Sequence, residues 1–388
     1  MNHSVSNPFP WYKKMSAENP VYYDKDYMHY FGAKGAWHVF RYHDVQTVLY
    51  DWENFSSEYA PKVDNILSAA IQVTDPPRHK QLRLLVSKAF TPNVIENMKP
   101  WIQEITKELL DKVADKGEMD VTVDLAVPVP IQVIAKMLGV PYEDRDKFKF
   151  WSTIIVKNPT EVEGGVNGYF QAQQEMAQYF MNLFEERLKD PKDDLISHLQ
   201  RVDLEGEKLS EQDLLAFCIT LLVAGNETTT NLISAAIYTF IENPEIQEHL
   251  YQYPEVIPTA IEEILRYRAP VQYINRIATK DVELGGQTIK KGDLINAWMG
   301  SANRDASVFE NPDTFDLNRT NLKHTSFGHG IHFCLGAPLA RLEAKIVLEL
   351  LFSQFKQLEL KDTSKELEMN EINLMFSIKS LPIVFKKR

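Results

Sequence analysis

One uninterrupted helical pattern constrains this chain more than any other feature. It runs from Ser210 to about Glu242, where Asn243-Pro244 ends it. Ser210 suits the position that caps the first turn, with Asp213 three residues later in a capping-box arrangement. At 1.5 Å per residue such a helix extends about 50 Å. Apolar residues surround its first half, so it runs through a core and not along a surface.

The flanking sequence agrees with a helical fold. From about 76 to 268 the pattern is mostly helical: Asp75-Pro-Pro introduces one helix, Thr91-Pro92 marks a break, and Trp101 to Lys116 keeps helical spacing until Gly117. Gly164, Gly165 and Gly168 mark a loop, able to flex, between two further helices. Trp37-His-Val-Phe-Arg-Tyr alternates as a strand, and Arg276 to Met299, broken at Gly285-Gly286 and Gly292, reads as hairpin strands. After a loop rich in Asn, Asp, Pro and Gly that leads to Cys334, a last helix spans about Ala337 to Phe355. The fold class is therefore mostly α with a minor β part. No linker divides the 388 residues, which read as a single domain with a β-richer N-terminal part at about 1-75 and a helical part at about 76-388.

Composition removes several function classes. With 42 Lys and Arg against 54 Asp and Glu, the net charge of −12 argues against nucleic acid as a partner. Two cysteines cannot staple a chain of this size and fit a reducing, cytoplasmic setting. The first fifteen residues include Pro8 and Pro10 and no apolar segment, so neither a signal peptide nor a membrane anchor is expected there. The longest uncharged apolar stretch, Leu214 to Asn226, falls short of the roughly 20 residues that span a bilayer. Nothing in the pattern requires more than a monomer.

The common nucleotide and hydrolase motifs fail. Gly328-His-Gly330 is followed by Phe333 where a dinucleotide fingerprint needs glycine, and no phosphate loop or HExxH helix is present. His324-Thr-Ser326-Phe-Gly328 lacks the first glycine of a nucleophile elbow.

Two other places break local rules. Inside the long helix, Ala224-Gly225-Asn226-Glu227-Thr228-Thr229-Thr230-Asn231 collects weak helix formers. The Thr228 hydroxyl can bond the Ala224 carbonyl and open a groove, with Glu227 as a titratable group beside it. The alternative is a helix kinked for packing with an ion-paired Glu. The second place is Phe327-Gly-His-Gly-Ile-His-Phe-Cys334-Leu-Gly336, whose glycines let backbone approach a flat ligand closely. A helix starting just past Cys334 aims N–H groups at the sulfur, which lowers a thiol pKa. Alternatives are a buried apolar Cys, or a zinc cluster of His324, His329, His332 and Cys334.

These residues resemble the cytochrome P450 superfamily, specifically its soluble bacterial haem-thiolate monooxygenases. Phe327-x-x-Gly330-x-x-x-Cys334-x-Gly336 is similar to its haem-binding signature, and Ala224-Gly-Asn-Glu-Thr-Thr229 to its oxygen-groove motif. Glu263-Ile-Leu-Arg266 and the run from Phe309 through Pro312 and Phe315 to Arg319 are similar to two further markers. The four occur in the family's order over about 75 to 355.

The resemblance implies a cofactor, haem b, and a role for each matched position. Cys334 would be the axial thiolate on the iron, pushing electron density that favours O–O cleavage. Glu227 and Thr228 would deliver protons to bound oxygen, with Ala224 and Gly225 lining the oxygen site. His79, Arg83, Arg276 and His332 would hold the haem propionates, and Phe327 would pack beside the sulfur next to Gly336. Glu263, Arg266 and Arg319 would form a structural triad.

It also implies O2 as co-substrate and electrons from a separate ferredoxin or flavodoxin with its reductase. Arg78, Lys80, Arg83 and Lys88, with no acidic residue among them, form a basic face suited to such a carrier. The implied pocket includes Ile66, Ile71, Val271, Leu374, Met375 and Phe376, which suits an apolar substrate such as a fatty acid, terpenoid or steroid. Besides a monooxygenase, the chain could be a peroxide-driven hydroxylase on the same fold or a non-catalytic haem sensor or carrier. The pair Glu227-Thr228 favours the first.

Overall fold

The computed structural model describes residues 4–28, 34–59, 70–88, 90–155, 162–203, 206, 208–370 and 373–388. Its first part carries α1 (Phe9–Glu18), β1 (Val21–Met28), β2 (Lys34–Val39), α2 (Tyr42–Tyr50) and β3 (Phe55–Ser56). Helices α3 (Arg78–Ser87), α4 (Pro92–Asn97) and α5 (Lys99–Val113) follow, then β4 (Glu118–Asp120) and a wide π turn at Val121–Ala126. Next come α6 (Pro128–Met137), α7 (Arg145–Ile155), α8 (Gly165–Lys189), α9 (Leu195–Arg201), α10 (Glu211–Glu242), α11 (Pro244–Gln252) and α12 (Ile257–Tyr267). The remainder is β5 (Ile274–Ala278), β6 (Val282–Leu284), β7 (Gln287–Ile289), β8 (Leu294–Ala297), α13 (Met299–Ala302), α14 (Ala337–Gln354), β9 (Phe355–Leu360), β10 (Glu368–Met369), β11 (Ile378–Ser380) and β12 (Pro382–Lys387).

Helix α10 starts where its cap dictates. Ser210 Oγ accepts from the Asp213 N–H at 3.1 Å, and Asp213 Oδ2 accepts from the Ser210 N–H at 3.1 Å. The helix then packs against α6, α12 and α14, and Ile219, Leu222, Ile233, Ala236 and Phe240 are buried in the main core. Burying each large side chain contributes about 1.5–3 kcal/mol, so this axis anchors the helical layer.

The main sheet has the order β1-β2-β8-β5-β3, with β2 and β8 parallel and the other neighbours antiparallel. Strands from the first part of the chain thus share one sheet with strands that come more than 200 residues later, and β9, β12 and β4 build another. The mostly α architecture with small sheets is the one read from the sequence.

Local differences have local causes. The strand near Trp37 stops at Val39, because Tyr42 opens α2 with its N–H donated to Asp305 Oδ2 at 2.9 Å. Gly164 sits at φ 80° before α8, but Gly165 and Gly168 lie inside the helix; a Cβ on Gly168 would come 2.1 Å from the Glu163 carbonyl. Helix α1 escapes sequence reading because it is short and aromatic, held by Trp11 and Tyr12 against Phe40 and Trp298. Among the described residues, no helix is long and apolar enough to cross a membrane.

Candidate functional site

The loop before α14 is shaped by two glycines in the left-handed region, Gly328 at φ 72° and Gly330 at φ 70°. A Cβ on Gly330 would lie 3.1 Å from the Tyr50 Cα, so side chains are excluded there. The Cys334 N–H donates to the Phe327 carbonyl at 2.8 Å, closing the loop. The N–H groups of Gly336 and Ala337 reach the sulfur.

The thiol differs from the sequence expectation. Burial pushes Cys334 up, and it outweighs the opposing pull of the Gly336 N–H, Arg83, the Ala337 N–H and Arg341. A bound cation would remove this cost, since a coordinated thiol is deprotonated outright. Cys218, by contrast, is fully enclosed in the core, with its pKa raised by burial.

Beside this loop the structure brings together His79, Arg83, Arg276 and His332. The His79 and His332 rings lie 4.3 Å apart, and His332 Nε2 bonds Ser57 Oγ at 2.9 Å and approaches Asp75 Oδ1 at 3.7 Å. Burial, then His332 and Arg83, depresses His79 to about 4, and burial depresses Arg276 to about 10. Arg83 and His332 are lowered for the same first reason. Asp75 is the carboxylate acting on this cluster, and Ser56 and the Ser57 N–H engage it as well. Four basic groups crowded out of water in this way fit a ligand that brings two carboxylates, as the propionates of haem would. Asp75 and Ser57 were missed in the sequence: Asp75 reads there only as the residue that opens a helix.

On α10, an open stripe crosses an otherwise buried helix. Leu221, Ala224 and Thr228 retain exposure at helical spacing, while Leu222, Asn226 and Thr229 are buried. The Thr228 hydroxyl donates to the Ala224 carbonyl at 2.7 Å. Burial lifts the Glu227 carboxyl to about 7. A Cβ on Gly225 would come 2.5 Å from Ile134 Cδ1, so this glycine also serves the crossing of α6.

Glu263, Arg266 and Arg319 meet in the interior. Arg266 donates through Nε and Nη2 to the two Glu263 oxygens at 2.8 and 2.7 Å, and Arg319 Nε donates to both at 3.0 and 3.1 Å. The Asp316 N–H adds a further bond at 3.0 Å. The guanidinium groups also bind the carbonyls of Asn303, Pro312 and Thr314 (Arg266) and of Glu310, Asn311 and Thr314 (Arg319). This tethers the segment leading to the cysteine loop onto α12.

The remaining positions separate. Val271 pairs with Met375 across a short bridge, and Gln272 and Phe376 donate backbone bonds to Leu374 and Pro270, so these segments adjoin. Phe376 is turned into the core, Leu374 packs on the aromatic cluster of Tyr12 and Trp298, and Ile71 is partly buried. Ile66 lies outside the described residues. Of the basic face, Arg78 is tied to Asp213 at 2.5 Å and Arg83 turns toward the cysteine, which leaves Lys80 and Lys88 exposed. The zinc alternative has no ligand set: among the described residues no three His, Cys, Asp or Glu side chains converge.

Comparison with known proteins accounts for this arrangement. The family model for cytochrome P450 matches residues 8–386. A putative cytochrome P450, YjiB of Bacillus subtilis, is 44% identical over 358 residues, covering 91% of this chain and 88% of its own. The crystal structure of substrate-free CYP109E1 from Bacillus megaterium superposes with a TM-score of 0.93 at 41% identity, covering 99% of this chain and 100% of that one. The same enzyme in complex with corticosterone gives a TM-score of 0.90 at 42% identity, covering 98% of each chain.

Proposed function

The chain belongs to the cytochrome P450 family of haem b monooxygenases, and on that premise we propose that it hydroxylates an apolar small molecule of steroid, terpenoid or fatty-acid type, in the cytoplasm, with Cys334 as axial thiolate. The observation that carries this reading is the convergence of the Cys334 thiol, approached by two backbone N–H groups, with four basic side chains, the buried His79 and Arg276 and the part-buried Arg83 and His332. Haem b supplies the iron at which O2 is reduced and split. Cys334 would bind that iron, and the two arginines, with the two histidines as hydrogen-bonding partners, would hold the propionates. Glu263, Arg266 and Arg319 fix the segment that leads into the loop, which would hold the loop ready for the cofactor.

Proton delivery falls to α10. Glu227, raised to about 7, gives up and regains a proton near neutrality. Thr228 now donates to the Ala224 carbonyl; rotation of one hydroxyl hydrogen lets it donate into the open stripe instead. Ala224 and Gly225 keep that stripe clear. Electrons would come from a separate ferredoxin or flavodoxin and its reductase, drawn to the exposed Lys80 and Lys88. Val271, Met375 and Ile71 offer apolar lining, and the corticosterone held by the CYP109E1 relative supports a substrate of that class.

Thr228→Ala tests the oxygen-activating reading. With substrate bound, electrons continue to be consumed but most emerge as peroxide, so product formed per electron falls severalfold. Unchanged coupling would remove Thr228 from the mechanism. Because the protonated carboxyl is the donor, coupling should also decline as pH rises through about 7, and Glu227→Gln should flatten that profile. A wild-type profile with no break near 7 would count against Glu227.

A further inference from the structure

The cysteine loop is also gripped from the outside, by groups that the proposed chemistry does not use. Arg341, on α14, places its guanidinium over the Phe327 ring, 4.4 Å from the centroid. Its Nε and Nη2 donate to the two oxygens of Glu262 at 2.6 and 2.8 Å, a bidentate fork. His324 completes the arrangement, with Nε2 3.2 Å from Glu262 Oε2. Its Nδ1 accepts from the Ser326 N–H at 3.3 Å, which leaves Nε2 as the nitrogen that donates.

The neighbouring carboxylates of α12 therefore divide their work. Glu263 turns inward to Arg266 and Arg319, whereas Glu262 turns outward to Arg341 and His324. Together these contacts clamp α12, the loop and α14 around Phe327. The Phe327 carbonyl is the group that accepts from the Cys334 N–H at 2.8 Å, so whatever holds this residue holds the cysteine backbone. Planarity matters here, because only a guanidinium can stack on the ring and grip a carboxylate with a fork at once.

We propose that Arg341 and Glu262 are positioning residues that hold Phe327 in place and set, by their opposite charges, how readily iron bound at Cys334 accepts an electron. The inference rests on the reading of Cys334 as axial ligand. A cation on the thiolate side favours the added electron, and a carboxylate beside it opposes that effect. The pair is partly exposed, with side-chain accessibilities of 36% and 24%, so solvent moderates both influences.

The opposed signs provide the test. In the haem-loaded protein, redox titration of Arg341→Gln should show a ferrous-to-ferric ratio threefold to tenfold lower than wild type at fixed ambient potential, a tenfold change being 59 mV for one electron. Glu262→Gln should raise the ratio, and Arg341→Lys, which keeps charge but loses the fork and the stack, should fall between Arg341→Gln and wild type. A purely structural role would move all three variants in one direction. Shifts of the same sign, or changes below twofold throughout, would overturn the proposal. Should Arg341→Gln fail to fold, Glu262→Gln and Arg341→Lys decide by the same criterion. A wild-type protein without the red-shifted ferrous–CO band would instead refute the Cys334 reading.

Discussion

Replacing Cys334 with Ala is expected to abolish oxygen activation and to remove the red-shifted Soret band of the ferrous–CO form, while the fold survives. The fold survives because the sulfur is held by main-chain N–H groups of Gly336 and Ala337 and contributes no packing to the main core. The loop around it depends on Gly328, Gly330 and the bond between Cys334 N–H and the Phe327 carbonyl, all of which Ala retains. Activity is lost because a neutral ligand, or none, cannot push electron density onto iron. Haem content, circular dichroism and product formation measured on one preparation check this outcome. A variant that oxidised substrate at the wild-type rate would end the monooxygenase account.

The second large effect is on stability. Glu263→Gln keeps the shape of the side chain but leaves the guanidinium groups of Arg266 and Arg319 without a counter-charge in the interior. Glu263 and Arg266 are 0% exposed, so water cannot take its place. Removing one partner of a buried ion pair costs about 3–5 kcal/mol, a large share of the 5–15 kcal/mol that stabilises a typical protein. Urea unfolding of the two proteins should show this loss, accompanied by poor haem retention, because the segment from Asn303 to Arg319 loses its charged link to α12 through Arg319 and Glu263, although the Arg266 bonds to its carbonyls remain. A loss below about 1 kcal/mol would mean that the backbone carbonyls around Arg266 and Arg319 solvate the two guanidinium groups well enough without the carboxylate.

Features set within a few residues of sequence were the legible ones. The start of α10 follows from Ser210 and Asp213, three positions apart, and α14 begins at Ala337 just after the cysteine loop. The hairpin of β6 and β7 turns at Gly285-Gly286. Long-range pairings were not legible. Arg78 looks like a free surface cation until Asp213, 135 positions away, closes on it. Asp75 and Ser57 reach His332 only because the first sheet and the cysteine loop come together.

The Cys334 thiol shows the same division. Its position before a helix is local, and the N–H groups of Gly336 and Ala337 do reach the sulfur. Burial depends on the whole fold, and it reverses the net direction of the shift. Gly225 is similar: the sequence marks it as a weak point in a helix, but only the fold shows that a methyl group there would push on the tip of the Ile134 side chain.

The most direct test of the account is the absorption spectrum of the purified protein, loaded with haem, reduced with dithionite and exposed to carbon monoxide. Thiolate ligation at Cys334 predicts a strongly red-shifted Soret band, lost in Cys334→Ala. A haem whose ferrous–CO band stays at the position of a histidine-ligated or unligated iron would contradict it.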